Sequence, residues 1–221
     1  MSVWALLVAA GSGERLGEER PKAFVRLGEL PLLAESLRRL DESSWIDAIV
    51  VVVPEGWEEP AILLAEELSA TKVVASVTGG ETRAESVRTA LAEVPEDALV
   101  VLVHDAARPL VSDAVIERVL APLSEGWDGV VPGLRLADTV KRVERDAVVE
   151  TVDREALVGV QTPQAFLAPT LRRAFAGELG AATDCASLVE AGGGRIRWVE
   201  GDRRLLKVTT PEDLELVASW L

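Results

Sequence analysis

The chain has 221 residues, 48% of them hydrophobic, and a formal net charge of −14 at pH 7. This length fits one α/β domain spanning residues 1–221, and the charge argues against a general nucleic-acid binder, which needs a broad basic face. The apolar runs have strand length, short of the roughly 20 residues that a membrane helix needs. The lone cysteine excludes an internal disulfide. With no recognisable signal sequence, these features predict a cytoplasmic protein that binds neither nucleic acid nor membranes.

Apolar runs and amphipathic stretches alternate along most of the chain. The pattern predicts strands at residues 3–9, 46–53, 72–77, 99–104 and 195–199. It predicts helices at residues 31–40, 61–68 and 82–92, a helix capped by Ser112 and ended by Pro122, and a last helix that Pro211 opens with a Thr210/Asp213 capping box. This βαβα order with continuously apolar strands predicts a mostly parallel sheet that is covered on both faces.

The alternation breaks near Gly133. Residues 134–152 are charged and partly alternating, with a turn candidate at Arg145-Asp146, and they predict a protruding β-hairpin arm. Nothing inside the domain requires such an arm, so we interpret it as a dimer contact.

The first predicted strand ends in a loop of small residues followed by cations. Ala9, Ala10 and Gly11 open the stretch AAGSGERLG, which contains Arg15, and Lys22 follows. Backbone N–H groups in such a turn hold phosphate oxygens well, and the two cations would neutralise a triphosphate. The spacing matches neither the P-loop nor the dinucleotide motif. From the glycines alone, the alternative is a plain turn beside a solvated charge cluster.

A second turn of small residues, GGETRAES, lies at residues 79–86 between a predicted strand and a predicted helix. Its backbone and short polar groups are suited to reading the edge of a nucleobase. An ordinary Gly-Gly turn with a Thr or Glu helix cap would explain the same residues.

The third cluster, HDAARP, follows the buried strand VVLV. A carboxylate such as Asp105 at the carboxyl end of a central strand is suited to bind Mg²⁺ jointly with substrate phosphates. The alternative is that Asp105 caps the next turn and pairs with Arg108. The chain's one histidine, His104, excludes a zinc site built on several histidines. For Cys185, packing is favoured over a catalytic pair with His104.

Nine short segments occur in order along the chain: AAGSGERLG, RPKAF, GGETRAES, VLVHDAARP, DTVKRV, TVDRE, QTPQAF, TDCAS and LKVTTPEDL. Together they resemble the 2-C-methyl-D-erythritol 4-phosphate cytidylyltransferases of the non-mevalonate isoprenoid pathway. The resemblance implies a Rossmann-like, three-layer α/β fold with a mostly parallel sheet, and a homodimer held through the hairpin arms. It also implies in-line attack of the polyol 4-phosphate on the α-phosphorus of CTP, with Mg²⁺ as cofactor and pyrophosphate as leaving group.

The resemblance further assigns roles to residues at matching positions. The cations that stabilise the transition state would be Arg15, Lys22 and Lys207, and Asp105 would help to hold Mg²⁺. The nucleotide would be bound by Ala9, Ala10, Gly11, Gly80, Glu81, Arg83 and Ser86. The polyol phosphate would be bound by Thr162 and Thr183, and by Thr139 and Arg154, which lie at the two ends of the arm and would reach the partner subunit's site. Because the nucleophile is already a phosphate dianion near neutral pH, no strong general base is required.

One position departs from the family pattern. The family commonly has an acidic residue three positions before the motif lysine, and this chain has Arg204 there. Either Asp202 takes over the contact or the contact is missing, so the second metal ligand stays open.

Three other functions stay open at this point. The nearest is a ribitol-5-phosphate cytidylyltransferase, which differs in the polyol pocket. A sugar-1-phosphate nucleotidyltransferase using UTP or dTTP is disfavoured by the HDAARP and TVDRE segments. A non-catalytic nucleotide-binding protein is disfavoured because Arg15, Lys22, Asp105 and Lys207 are all retained.

Overall fold

The computed structural model describes residues 2–11, 13, 16, 20–180 and 182–221. Within these residues the strands are Val3–Val8 (β1), Arg26–Leu27 (β2), Leu30–Pro31 (β3), Ala48–Val53 (β4), Val73–Thr78 (β5), Val100–Asp105 (β6), Gly129–Arg135 (β7), Val140–Glu144 (β8), Ala147–Val152 (β9), Val158–Val160 (β10), Gln164–Leu167 (β11) and Ile196–Glu200 (β12). The helices are Leu32–Glu42 (α1), Glu58–Glu67 (α2), Arg83–Leu91 (α3), Asp113–Leu120 (α4), Ala168–Phe175 (α5), Cys185–Ala191 (α6) and Pro211–Ala218 (α7). The predicted strands and helices are confirmed, with ends shifted by up to three residues.

The central sheet has eight strands in the order β10-β7-β11-β6-β1-β4-β5, and β12 also pairs with β7. Strand β1 lies between β4 and β6 and is parallel to both. All six residues of β4 are buried, as expected for an apolar strand covered on both faces. Strands β10 and β11 are antiparallel to their neighbours, whereas the pairs β4/β5 and β7/β12 are parallel. The predicted mostly parallel sheet is therefore confirmed.

Helices cover both faces of this sheet. Alternate residues of β1 show the division, because Ala5 and Leu7 pack with residues of α1, α2 and α4, whereas Leu6 packs with residues of α3, α5 and α6. Full burial of a side chain such as Leu6 stabilises the fold by roughly 1.5–3 kcal/mol. The predicted three-layer, Rossmann-like architecture is confirmed. Among the described residues, no helix is long and apolar enough to cross a membrane.

The chain does not leave the sheet at Gly133, where the sequence pattern breaks. Strand β7 continues through Pro132 and Gly133 to Arg135. Pro132, which lacks an amide hydrogen, falls between the β7 residues paired with β11 and those paired with β10. The arm therefore begins later than residue 134. It is the hairpin of β8 and β9, with Arg145 at φ +53° in the predicted turn.

The two predicted helix caps have different outcomes. At the start of α7, the side chain of Thr210 accepts the Asp213 N–H and the Asp213 carboxylate accepts the Thr210 N–H, so the predicted capping box is confirmed. Ser112 precedes α4 as predicted, but its side chain makes no capping hydrogen bond.

Candidate active site

A cleft of about 360 Å³ opens at the carboxyl ends of β1 and β6. Both strands end here together, because Val8 of β1 is in register with Asp105 of β6. Ligands bind at this edge in open α/β sheets. The residues that line the cleft are Val8, Ala9, Ala10, Gly11, Lys22, Ala23, Gly80, Glu81, Thr82, Arg83, Ser86, Asp105, Ala106, Ala107 and Lys207.

The structure brings together residues from four separate parts of the sequence that were predicted for one site. Those that line the cleft are Ala9, Ala10, Gly11, Lys22, Gly80, Glu81, Arg83, Ser86, Asp105 and Lys207. The prediction omitted Val8, Ala23, Thr82, Ala106 and Ala107, whose signal was only their place beside predicted residues at strand and loop ends.

Lys22 is held close to the loop that follows β1. Gly13 has φ +77°, and a Cβ on it would lie 2.7 Å from the Cβ of Lys22, so glycine permits this approach. Lys22 begins a short 3-10 helix that ends at Phe24, whose ring lies 4.4 Å from the ring of Trp57, centroid to centroid. An aromatic contact thus anchors the segment two residues from the lysine. Arg15, predicted as the second cation of this loop, lies outside the described residues.

The turn before α3 is fixed by a helix cap. The Thr82 side chain accepts the Glu85 N–H, and the Glu85 carboxylate accepts the Thr82 N–H. The Ser86 hydroxyl accepts the Gly80 N–H at 3.2 Å and donates to the Thr82 carbonyl at 3.0 Å. The predicted cap and the predicted site role are therefore compatible, because the cap orients a turn that lines the cleft.

The Asp105 carboxylate joins two cations in the cleft. Its Oδ1 accepts a hydrogen bond from Arg83 Nε at 2.9 Å, and its Oδ2 accepts one from Lys207 Nζ at 2.8 Å. The Asp105 side chain is 9% exposed and that of Lys207 is 44% exposed, so the lysine remains accessible from the cleft. Burial alone would raise the pKa of the Asp105 carboxyl, but Arg83 and Lys207 outweigh burial and hold this pKa well below its usual range. The ion pairs of Asp105 among the described residues are with Arg83 and Lys207, and the Arg108 guanidinium instead donates to the Leu205 carbonyl at 2.6 Å, so the alternative pairing with Arg108 is wrong.

A buried hydrogen-bonded bridge lies behind Asp105. His104 Nε2 is 3.0 Å from the Arg108 carbonyl, which can only accept, so Nε2 carries the proton. Nδ1 of the neutral ring is then an acceptor, and Thr162 Oγ1 donates to it at 3.1 Å while accepting the Asp105 N–H at 3.0 Å. Complete burial lowers the pKa of His104 to about 4. The imidazole is therefore neutral at pH 7 and serves as a bridge rather than as a general base.

Cys185 is the first residue of α6 and is 1% exposed. Its Sγ lies 3.4 Å from Nη1 of Arg83, and burial raises the pKa of the thiol to about 11. A buried thiol that stays protonated at pH 7 is not a nucleophile. The packing role is supported over the pair with His104, with a contact to Arg83 that the sequence did not predict.

Four residues predicted to bind the polyol phosphate do not line this cleft. Thr139 and Thr183 are exposed. Arg154 follows the hairpin, and its guanidinium donates to the Ala137 carbonyl. Thr162 is 4% exposed, and its hydroxyl is engaged in the bridge behind Asp105.

The segment that departs from the family pattern also stays outside the cleft. The Asp202 carboxylate accepts the Arg204 N–H at 2.8 Å and so caps a short 3-10 helix. The Arg204 guanidinium donates to the Trp220 carbonyl at 2.6 Å. In this arrangement Asp202 is a helix cap.

The cleft combines a loop of small residues, converging cations and the ionised carboxylate of Asp105 at the sheet edge where nucleotides bind in open α/β folds. This fold and this site define a nucleotidyltransferase. The family model described as "IspD: 2-C-methyl-D-erythritol 4-phosphate cytidylyltransferase" matches residues 3–221, and the chain belongs to that family.

Individual relatives agree with the family. The chain is 47% identical over 221 residues to the 2-C-methyl-D-erythritol 4-phosphate cytidylyltransferase of Nocardia farcinica, covering 100% of this chain and 94% of the relative. It matches the crystal structure of the Thermus thermophilus enzyme with 34% identity and a TM-score of 0.78, covering 100% of this chain and 98% of that one. The Francisella tularensis structure gives 30% identity and a TM-score of 0.83, with coverage of 100% and 99%. The family predicted from the nine segments is confirmed.

Proposed function

We propose that the chain transfers CMP from CTP to 2-C-methyl-D-erythritol 4-phosphate, giving 4-diphosphocytidyl-2-C-methyl-D-erythritol and pyrophosphate for isoprenoid precursor biosynthesis. The observation that carries this proposal is the Lys207–Asp105–Arg83 cluster at the carboxyl end of β6, in one cleft with the loop after β1. The family and its relatives support the two substrates. We place the reaction in the cytoplasm, where CTP is available.

CTP occupies the cleft. Its phosphates lie on the backbone of Ala9, Ala10 and Gly11, beside Lys22, and its base lies against the turn that runs from Gly80 to Ser86. The polyol phosphate enters from the open side and attacks the α-phosphorus in line, so that the bond to pyrophosphate breaks as the new P–O bond forms.

The protein's contribution to the rate is positioning and positive charge. Lys22 and Lys207 face the phosphates, where negative charge grows on the transferring group. The attacking phosphate is already anionic, so no proton has to be removed from the nucleophile. This agrees with the state of the two titratable groups at the end of β6, because Asp105 is held ionised between cations and His104 is buried in its bridge.

We propose that Asp105 holds Mg²⁺ together with the phosphates of CTP. Each carboxylate oxygen accepts one N–H from a cation, which leaves about two of its four lone-pair positions for a metal. In the part of the chain that the structure describes, no group of three or more His, Cys, Asp and Glu side chains could hold a metal. One carboxylate completed by phosphate oxygens and water is a usual Mg²⁺ ligand set, so Asp105 fits the ion. When bound, the ion would neutralise charge on the phosphates of the leaving group.

We also propose a homodimer in which each arm completes the partner's polyol site. Strands β8 and β9 form a separate two-stranded sheet, and such a hairpin is marginally stable alone in water. Its apolar side chains are exposed, with Val143 at 55%, Val148 at 61% and Val149 at 49%. A second copy of the chain would cover them and would receive Arg154, whose guanidinium can bind a phosphate through two parallel hydrogen bonds.

Pyrophosphate release from CTP and 2-C-methyl-D-erythritol 4-phosphate, measured with Mg²⁺ by a coupled assay, tests the proposal. We expect release that requires both substrates. Ribitol 5-phosphate replaces the polyol and UTP or dTTP replaces CTP in parallel reactions. Faster turnover with ribitol 5-phosphate would assign the chain to the rival cytidylyltransferase. No turnover in any combination, with CTP still binding, would indicate a nucleotide-binding protein without transferase activity.

A further inference from the structure

The segment at residues 161–164 (QTPQ) contributes no residue to the lining of the cleft, yet it lies beside it. Strand β11 is antiparallel to β6, with Gln164 opposite Val103, so the residues just before β11 reach the edge where β6 ends. Gln161 is 7% exposed and Gln164 is 1% exposed. Buried amide groups are nearly always hydrogen-bonded, so their partners show what the segment holds in place.

The side-chain amide of Gln161 forms hydrogen bonds with both backbone polar groups of Asp202. Its Oε1 accepts the Asp202 N–H at 3.0 Å, and its Nε2 donates to the Asp202 carbonyl at 2.9 Å, so the orientation of the amide is fixed. The Gln161 backbone N–H donates to the Pro132 carbonyl at 2.8 Å, which ties the residue to β7. A Cβ on Gly201 would collide with the Gln161 amide, so the two segments fit closely.

Asp202 begins the segment that leads to Lys207. Asp202 caps the turn that ends at Leu205, whose side chain is fully buried and whose carbonyl accepts Arg108 Nη1. Lys207 follows two residues later, and the Val208 N–H is fixed to the Ala107 carbonyl at 2.8 Å. The fixed points on either side leave little freedom in where the lysine backbone lies.

Gln164 is hydrogen-bonded to a different part of the chain, the residue that precedes α6. Its Nε2 donates to Asp184 Oδ2 at 2.9 Å, and Asp184 Oδ1 accepts the Ser187 N–H and so caps α6. The two glutamines therefore have the same chemistry and similar burial within one short segment, but only Gln161 holds the Lys207 segment.

We propose that Gln161 is a positioning residue that sets the distance between Lys207 Nζ and the Asp105 carboxylate, and thereby the placement of the lysine for the transition state. Its kinetic consequence rests on the proposed function, whereas its effect on the lysine does not. Gln161 does not line the cleft and acts through its two hydrogen bonds to the backbone of Asp202.

A measurement on the substrate-free protein tests the positioning directly. The chain has four lysines, Lys22, Lys72, Lys141 and Lys207, so the rate of reductive methylation can be followed at each one by peptide mass spectrometry. Gln161→Met keeps the length of the side chain and removes both bonds to Asp202. We expect methylation of Lys207, relative to Lys141 on the arm, to rise about 3- to 10-fold, as loosening one hydrogen bond allows.

Two matched variants serve as controls for this rate. Gln164→Met removes the neighbouring amide. Arg172→Ala removes hydrogen bonds to the carbonyls of Leu91, the last residue of α3, and of Val94, which follows it. In both, the relative rate at Lys207 should stay within about twofold of the parent rate, because the bonds that these variants remove do not involve the segment from Asp202 to Lys207. An unchanged Lys207 rate in folded Gln161→Met would overturn the proposal. If that variant does not fold, Gln161→Glu, which keeps the acceptor for the Asp202 N–H, takes its place with the same two outcomes.

Turnover provides the second readout. Gln161→Met should lower kcat about 10- to 100-fold with the Kd for CTP within about twofold, because a displacement near 1 Å has that effect on a reacting group. Since Gln161 acts through Lys207, the same change in a Lys207→Ala background should have less than about twofold further effect. Arg172→Ala should have the same effect in both backgrounds. Equal effects of Gln161→Met in both backgrounds would refute the coupling. If no substrate pair turns over, the proposed function fails, and the methylation rates still decide the positioning role.

Discussion

The stability of the fold should depend on pH through its one histidine, His104. Burial lowers its pKa to about 4, whereas an imidazole in the unfolded chain titrates near its ordinary value of about 6.5. Between these values the unfolded chain binds one more proton than the folded chain. The contribution to stability is therefore fully present above about pH 6.5 and is lost as the pH falls towards 4.

The magnitude follows from the size of the pKa difference. A gap of about 2.5 units, at about 1.4 kcal/mol for each unit, corresponds to a total of about 3 kcal/mol. About 2 kcal/mol of this should be lost between pH 7.5 and pH 5, where the histidine has titrated in the unfolded chain only. This is a substantial part of the 5–15 kcal/mol that typically stabilises a domain, so it should be measurable.

Urea unfolding at pH 7.5, 6.5, 5.5 and 5.0 without divalent cations measures the effect, with His104→Gln as the matched variant. Because the carboxyl groups titrate in both proteins, the difference between the two pH dependences isolates the histidine. The Hε1 resonance of the lone imidazole gives the folded pKa by NMR without assignment, even if the variant fails to fold. Parallel losses of stability in the two proteins, or an NMR midpoint near 6.5, would refute the buried neutral bridge.

Further predictions concern the catalytic cleft and the arm. Lys22→Ala should lower kcat about 10²–10³-fold, as expected for loss of one charge-stabilising donor, whereas Lys72→Ala, which removes the same charge outside the cleft, should turn over normally. Asp105→Asn should abolish or sharply reduce activity while the far-UV spectrum is preserved; a Mg²⁺ titration identical to that of the parent would contradict the metal role. Inactive Arg154→Ala and Lys22→Ala proteins, mixed under proven subunit exchange, should regain about a quarter of parental activity, because half of the dimers are mixed and each has one intact site; no rescue would contradict sites shared between subunits. Val148→Glu should shift the protein towards monomers in light scattering, and an unchanged dimer would show that the arm is not the contact.

The elements that were easiest to predict from the sequence are those whose burial produces a continuous run of apolar residues. Strand β4 is apolar over its whole length, and β6 is apolar from Val100 to Val103, because helices cover both faces of the sheet. Such runs are visible without any tertiary information. The loops of small residues after β1 and before α3 were recognisable for a different reason. Each follows a predicted strand, and so lies at the edge of the sheet where nucleotides bind.

Strand β7 was not predicted, because its glycines and its proline interrupt the apolar pattern that is typical of a buried strand. A Cβ on Gly129 would overlap the ring of Phe166, so a larger residue does not fit there. A Cβ on Gly133 would lie 3.0 Å from Nε1 of Trp198. These glycines mark close packing between strands rather than a break in structure. Only the packing against Phe166 and Trp198 reveals this, and each of these residues lies more than 30 positions from the glycine that it contacts.

The partners of Asp105 could not be chosen from sequence either. Arg108 is three residues away but bonds to another loop, whereas Arg83 and Lys207 are 22 and 102 residues away. The pairing is decided by the register of β6 and by the loop that holds Lys207. The role of Gln161 was hidden for the same reason, because its motif was recognised but its partner lies 41 residues later.

The central place of β1 also bears on how the chain assembles during synthesis. β1 precedes both of its neighbours in the sequence, since β4 ends at Val53 and β6 ends at Asp105. At about 5–20 residues per second, the end of β6 follows the end of β1 by roughly 5–20 seconds. For that interval β1 and β4 present an apolar edge, which is a target for chaperones and a hazard for aggregation. β6 in turn has an open edge until β11 has been made, so the sheet is completed from its middle outward.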